Sequence, residues 1–227
     1  MGQIIAVGGG GFYRHEQLQL EEFLLALRPK AQPKVAFLAT ASGEPEGYVE
    51  AFHAAFGRLG CTTTNVPLLG RTPDLRLLLE QDLIFVGGGN TKSMLALWRE
   101  WGVDELLAQA CERGVVLAGV SAGAICWFEQ GVTDSWADSL RVIDCLGFIP
   151  GSCCPHYDGE IERRPAYLAQ VGSGEAQAGW AICDGAAVHF RDGEMVEAVH
   201  WLEGAKVLRV EAEAGSAREE DVPTRRL

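Results

Sequence analysis

Along the first two thirds of the chain, apolar β-branched runs alternate with stretches whose apolar residues recur every three or four positions. That is the pattern of parallel strands joined by crossover helices. Ile4 to Val7 reads as a short strand ending in four glycines, and Glu16 to Leu27 as a helix carrying Leu18, Leu20, Phe23, Leu24 and Leu27. Lys34 to Ala39 is a second strand, Glu46 to Leu59 a helix, Thr63 to Pro67 a strand and Arg76 to Glu80 a short helix. Asp82 to Val86 is the next strand, stopping at Gly87-Gly88-Gly89-Asn90. Thr91 to Arg113 predicts one long helix, with Thr91 suited to begin it and Gly114 to end it. The almost wholly apolar run from Gly114 to Val120 is a central strand covered on both faces, followed by a helix from about Ala122 to Glu129.

Beyond Pro150 the pattern changes. Trp180 to Cys183, Ala186 to Phe190 and Met195 to His200 are short strands separated by Asp184-Gly185 and Asp192-Gly193, both hairpin-turn pairs, so the sheet is expected to gain antiparallel strands here. No linker divides the chain. Residues 1–210 read as a single domain, and 211–227, charged and poor in apolar residues, as a frayed tail.

At 227 residues, 48% hydrophobic and 22% charged, the chain can bury a sizeable core, which rules out disorder. A formal net charge of −12 repels phosphate backbones and anionic lipid heads, so neither nucleic acid nor a membrane surface is an expected partner. No apolar run is long enough to span a bilayer, and the start MGQIIAVGGGG lacks a signal peptide's features, which points to the cytoplasm. Seven cysteines, without CxxC spacing and with Cys153 and Cys154 adjacent, suggest neither a disulfide framework nor a zinc site. Most read as small buried apolar residues, with Cys153 and Cys154 the two that could line a site.

The candidate chemistry lies in Gly119-Val120-Ser121-Ala122-Gly123, a G-x-S-x-G pattern between a buried strand and a helix. A tight turn of this kind needs residues without bulk around the serine. It lifts the hydroxyl above the sheet, with the next backbone N–H aimed at the same space. A serine nucleophile needs a base, and the chain offers His15, His53, His156, His189 and His200. His189 and His200 fall within strand patterns and His53 within a helix face. His156, after Cys153-Cys154-Pro155, falls in an irregular segment and is the preferred base. Gly87 to Gly89 lacks the Walker spacing and Gly8 to Gly11 the dinucleotide-binding spacing, so the latter reads as a loop rimming the site. No metal or organic cofactor is expected.

Three segments together resemble the peptidase E and cyanophycinase family of serine peptidases, whose fold is similar to that of class I glutamine amidotransferases. They are Phe85-Val86-Gly87-Gly88-Gly89-Asn90-Thr91, Gly119-Val120-Ser121-Ala122-Gly123-Ala124 and Pro155-His156-Tyr157, in the family's order and at about its spacing. The resemblance implies a three-layer α/β sandwich: a mainly parallel central sheet flanked by helices, plus the antiparallel C-terminal hairpin strands. It implies Ser121 as nucleophile, His156 as general base, and an oxyanion hole from Ala122 with Gly88 or Gly89. It places Asn90 beside the substrate, a small peptide, and suggests a homodimer.

Two features depart from the family. Peptidase E orients its histidine with an aspartate after a Thr-Asn pair. Here Thr133-Asp134-Ser135-Trp136 stands at that place, so Ser135, or else Asp134, is the expected orienting residue. Peptidase E also prefers amino-terminal aspartate, a preference that resembles recognition by an arginine after the histidine. In this chain Glu162 falls at that arginine's position, with Arg163 and Arg164 as neighbouring cations that could reach the site, so strict aspartate specificity is not expected. An esterase using His200 as base, and a non-catalytic module in which Ser121 is a relic, are the alternatives.

Overall fold

The computed structural model describes residues 2–13 and 18–227; His15, one of the five candidate bases, and the first turn of the helix expected from Glu16 lie outside them. The alternating pattern becomes β1 (Gln3–Val7), α1 (Gln19–Ala26), β2 (Lys34–Leu38), α2 (Glu46–Arg58), β3 (Thr62–Asn65), β4 (Leu83–Val86) and β5 (Val116–Val120). A 3₁₀ turn at Leu75–Glu80 precedes β4. The long helix expected over Thr91 to Arg113 is two: α3 (Thr91–Trp101) and α4 (Val103–Glu112). Gly102 divides them, adopting φ 67°, a left-handed conformation that ends one helix and re-aims the next.

The helix expected after Ser121 is a single turn, α5 (Ala122–Ile125). The chain then enters β6 (Phe128–Trp136), β7 (Ser139–Asp144) and β8 (Ile149–Cys154), strands that the apolar pattern did not announce. After α6 (Arg163–Ser173) come β9 (Gly179–Ile182), β10 (Ala186–Arg191), β11 (Glu194–His200), β12 (Val207–Glu213), β13 (Ser216–Val222) and β14 (Thr224–Arg226). Residues 211–227 are therefore strand, not a frayed tail. β12 and β13 pair antiparallel from Val207↔Val222 to Glu213↔Ser216, and β14 adds parallel to β11. Cross-strand charge pairs such as Arg218 with Glu211 line the ladder on its polar side, while Ala217 and Val222 pack against the buried clusters.

The strands form two sheets. The eight-stranded sheet runs β14-β11-β10-β1-β5-β4-β2-β3, parallel from β1 through β3 and antiparallel where β10 meets β1 and β11. The six-stranded sheet runs β13-β12-β9-β8-β6-β7, and within it β8 pairs parallel with both β6 and β9. β10 and β11 are antiparallel strands as expected after Pro150, and the second sheet is an addition that the apolar pattern did not announce. The central strands β4 and β5 are buried at every position, as their unbroken apolar runs require.

One face of the eight-stranded sheet buries Ile5, Phe37 and Phe85 against α1 and α2 through Leu20, Phe52 and Phe56. The other face packs on α3, α4 and the six-stranded sheet through Trp98, Leu107, Trp127 and Phe128. α6 covers the outer side of the second sheet through Tyr167 and Val171. Among the described residues no helix is long and apolar enough to cross a membrane. The carboxyl ends of β1, β4 and β5 converge at one edge, where open α/β sheets place their ligands.

Candidate active site

Ser121 follows β5 directly and adopts φ 58° and ψ −114°, a backbone conformation that side chains rarely occupy and that costs about 1–3 kcal/mol. Close backbone approach explains the flanking glycines. A Cβ on Gly119 would lie 2.3 Å from the Gly123 carbonyl oxygen, and one on Gly123 would lie 2.3 Å from that of Val86. The turn is locked by Ser121 N–H donating to Val7 O at 3.1 Å and by Ala124 and Ile125 N–H donating to Ser121 O at 2.9 and 3.0 Å. Its hydroxyl makes no hydrogen bond among the described residues and borders two clefts.

His156 also has a positive φ, 52°, and its N–H donates to Gly8 O at 3.3 Å. Its ring Nδ1–H donates to Asp184 Oδ1 at 2.6 Å. An ionised carboxylate can only accept, so this bond keeps the proton on Nδ1 and leaves Nε2 as the basic nitrogen. The pair is boxed in by glycines. A Cβ on Gly9 would sit 1.9 Å from Asp184 Oδ1 and 2.7 Å from His156 Nδ1, and one on Gly159 2.7 Å from Asp184 Oδ2. Asp184 is itself anchored by its N–H donating to Asp158 Oδ1 at 3.0 Å and by the bridge between residues 9 and 184. The Gly8 to Gly11 run is thus more than a rim, because its first two residues seat the histidine and its carboxylate.

Asp184 takes the place expected for Ser135 or Asp134. Ser135 Oγ instead shares a hydrogen bond with Thr133 Oγ1 at 2.8 Å and accepts from Lys92 N–H at 3.1 Å, while Asp134 faces Arg163 at 3.5 Å. Neither is bonded to His156. The other described histidines are engaged away from Ser121: His53 with Thr63, His189 with Gln3 and His200 with Thr224. Of the described histidines, His156 is the one that borders the Ser121 clefts.

The N–H groups of Gly88, Gly89 and Ala122 have no hydrogen-bond partner among the described residues, which leaves them to receive a ligand oxygen. Gly88 lies against Ser121, since a Cβ there would be 3.1 Å from Ser121 Cβ. Gly89, at φ 134°, sits on the Ala41 carbonyl, 2.2 Å from where a Cβ would be. Asn90 caps α3, accepting from Ser93 N–H at 2.8 Å, and donates through Nδ2 to Ser135 O at 3.2 Å.

Two clefts meet at Ser121. One, of about 270 Å³, is lined by Tyr13, Pro45, Tyr48, Val120 and His156. The other, of about 280 Å³, is lined by Asn90, Asp134, Ser135, Glu160 and Arg163. Glu162, expected to face the substrate, is exposed and borders neither; the carboxylates that line the second cleft are Asp134 and Glu160. Arg164 is exposed and bound to Glu219 at 2.6 Å, outside both clefts. Arg163 reaches the site with its side chain only 2% exposed and its guanidinium already engaged. Nε donates to Glu160 at 2.6 Å and one terminal nitrogen to Val132 O at 3.1 Å, and the other faces Asp134.

The cysteines take no part. Cys153 and Cys154 are fully buried; burial raises the Cys153 thiol well above its ordinary value and pushes the Cys154 thiol up to about 12. Among the described residues no group of three His, Cys, Asp or Glu side chains could hold a metal ion.

The chain is also similar to known proteins. The chain is 47% identical over 214 residues, 92% of each chain, to the uncharacterized peptidase YgaJ of Bacillus subtilis (strain 168). It is 28% identical over 160 residues to peptidase E of Streptomyces coelicolor, spanning 66% of this chain and 59% of that protein. The crystal structure of a peptidase from an acI-B1 Actinobacterium superposes with a TM-score of 0.70 at 20% identity, covering 99% of this chain and 95% of that one, which shows a shared fold. The model of peptidase family S51 matches residues 4–198, a span that includes Ser121, His156 and Asp184, and the chain belongs to that family.

Proposed function

We propose that this protein is a serine peptidase that hydrolyses dipeptides or short peptides by acyl transfer, without strict preference for amino-terminal aspartate. The observation that carries the reading is that Ser121, with a free hydroxyl on a strained turn, shares a cleft with a histidine whose Nδ1–H is held by a carboxylate. His156 Nε2 takes the Ser121 proton as Oγ adds to the scissile carbonyl. The unpaired N–H groups of Ala122 and the Gly88-Gly89 turn receive the oxyanion, and the same imidazole returns the proton to the departing amine. Water then attacks the acyl-enzyme with His156 again as base. The hydrogen bond that Ser121 and His156 lack in the free enzyme is one that commonly tightens only with substrate bound.

Asp184 holds the tautomer and steadies the imidazolium. His200, bonded to Thr224 in β11, gives the esterase reading no support. A fluorophosphonate probe combined with a dipeptide digest tests the proposal. Ser121 should be labelled, and Ser121→Ala and His156→Ala should each abolish hydrolysis. A wild-type protein that neither labels nor cleaves would return the chain to the non-catalytic reading.

A further inference from the structure

The two clefts beside Ser121 differ in chemistry, and their placement relative to His156 gives a peptide a direction. The general base that accepts the Ser121 proton must afterwards protonate the amine that leaves, so the leaving residue lies on the His156 side. His156 borders the cleft walled by Tyr13, Pro45 and Tyr48, and does not border the polar one. Tyr48 is held in place from behind, stacked on Phe12 with ring centroids 5.5 Å apart and packed so closely on the glycine turn that a Cβ on Gly87 would lie 2.9 Å from its ring. Tyr13 meets Tyr48 edge-on at 4.7 Å and is itself 61% exposed, leaving an aromatic wall open to a ligand. Each cleft is small beside the ~300–1,000 Å³ typical of drug-sized ligands, which suits a single residue on either side of the scissile bond.

The polar cleft is a site because Ser121 forms part of its wall, and its charge is what sets its preference. Arg163 contributes one positive charge that is already spent on Glu160, Asp134 and the Val132 carbonyl. Asp134 and Glu160 contribute two negative charges whose side chains are 63% and 46% exposed. Lys92, whose backbone N–H donates to Ser135, holds its ammonium over the Trp136 ring at 4.5 Å and is not part of the lining. An acidic substrate side chain entering here meets surplus like charge and, among the described residues, finds in the lining only the guanidinium of Arg163, already engaged.

We infer that a substrate lies across Ser121 with its leaving residue in the aromatic cleft and its acyl residue in the polar one, so that this enzyme selects peptides with a basic acyl residue followed by an apolar one. The inference rests on Ser121 and His156 acting as proposed above. Ser121 Oγ bonds to the carbonyl carbon of the basic residue, the C–N bond to the apolar residue breaks with its electrons, and the amine leaves with the proton His156 carried. Because the two carboxylates are partly solvated, water and salt screen their pull, and the preference for a basic acyl residue should be about fivefold at low salt and smaller at high salt. Burying an aromatic ring against Tyr13 and Tyr48 is worth more, about tenfold or above over alanine.

The test is kcat/KM for Lys-Phe, Phe-Lys, Met-Phe, Lys-Ala and Asp-Phe. Lys-Phe should exceed all four, with Asp-Phe about tenfold or more below Met-Phe. Asp134→Asn should lower the ratio of Lys-Phe to Met-Phe, and Tyr13→Ala the ratio of Lys-Phe to Lys-Ala. Equal rates, a lead for Phe-Lys or Asp-Phe, or ratios unmoved by these variants would overturn the inference while leaving the peptidase standing. Ser121 labelled by fluorophosphonate with none of the five peptides cleaved would also overturn it. Ser121 unlabelled and no cleavage would instead overturn the peptidase reading beneath it.

Discussion

Replacing Asp184 with asparagine changes one oxygen into an NH₂ group and leaves the shape of the site nearly intact, so the loss it causes reports electrostatics and tautomer. The bond it disturbs, His156 Nδ1 to Asp184 Oδ1, is 2.6 Å long, within the range of charge-assisted contacts. Losing such a bond costs about 1.5–3 kcal/mol, or roughly ten- to a hundredfold in rate. If the amide turns its NH₂ toward the ring, the proton moves to Nε2, the base can no longer accept from Ser121, and the loss grows to about 10⁴-fold, as for the equivalent change in other triad enzymes. Asp184 is 28% exposed, so an asparagine can rotate part of the time and offer its carbonyl. Between these limits Asp184→Asn should lower kcat/KM about a thousandfold, roughly 4 kcal/mol of transition-state stabilisation, with the melting temperature nearly unchanged. The assay is steady-state hydrolysis of a neutral dipeptide, run beside Ser135→Ala. A D184N enzyme within threefold of wild type, or a larger loss in Ser135→Ala, would show that the contact does not orient the base.

Ser121→Gly should be as inactive as Ser121→Ala, about a millionfold down, yet more stable by about 1–2 kcal/mol, because glycine accepts φ 58° without strain; equal unfolding midpoints would deny that the turn is strained. Gly9→Ala drives a methyl to within 1.9 Å of Asp184 Oδ1, so kcat should drop at least tenfold with KM little changed, and wild-type kcat would mean the loop yields freely. His189 is buried in β10 with its Nδ1 unpaired, and burial, then Arg191, holds it below the ordinary imidazole value. The unfolded chain therefore binds a proton that the folded one refuses as pH falls below about 6.5, and stability should decline there. Urea midpoints at pH 7.5 and 5.5 would check this, His189→Gln giving a shallower fall than wild type.

The parts of the fold legible in the sequence are those where burial leaves residues no choice. β4 and β5 are covered on both faces and read as unbroken apolar runs, and the elbow is marked by glycines that its backbone contacts demand. β6, β7 and β8 were not legible, since β7 has no fully buried position and β6 has an irregular burial pattern and carries Gly131, while Pro150 and Gly151 interrupt β8. Asp184 was hidden by a local signal that is also true: Gly185 does turn, at φ 78°, and Asp-Gly is a turn pair whatever else its carboxylate does. What joins Asp184 to His156 is a tertiary fact, the parallel pairing of β8 with β9, which sets Cys154 beside Ala181 and brings the two carboxyl-end loops together. The expectation of antiparallel strands after Pro150 concealed that neighbourhood. Ser135 drew attention by alignment alone, and its hydroxyl is spent on Thr133 and Lys92.

The central position of β1 has a consequence for how the molecule comes into being on the ribosome. The Ser121 turn leans on β1, β4 and β5, all complete once residue 125 has been made. The histidine–carboxylate pair sits on Gly8 and Gly9, at the end of that same first strand, but its members are residues 156 and 184, and β10 must still add to the open flank of β1. At about 5–20 residues per second, several seconds of synthesis separate the two. On the proposed mechanism, a nascent chain thus carries Ser121 before it owns His156 and Asp184, and hydrolytic competence would arrive only with the closing of the sheet.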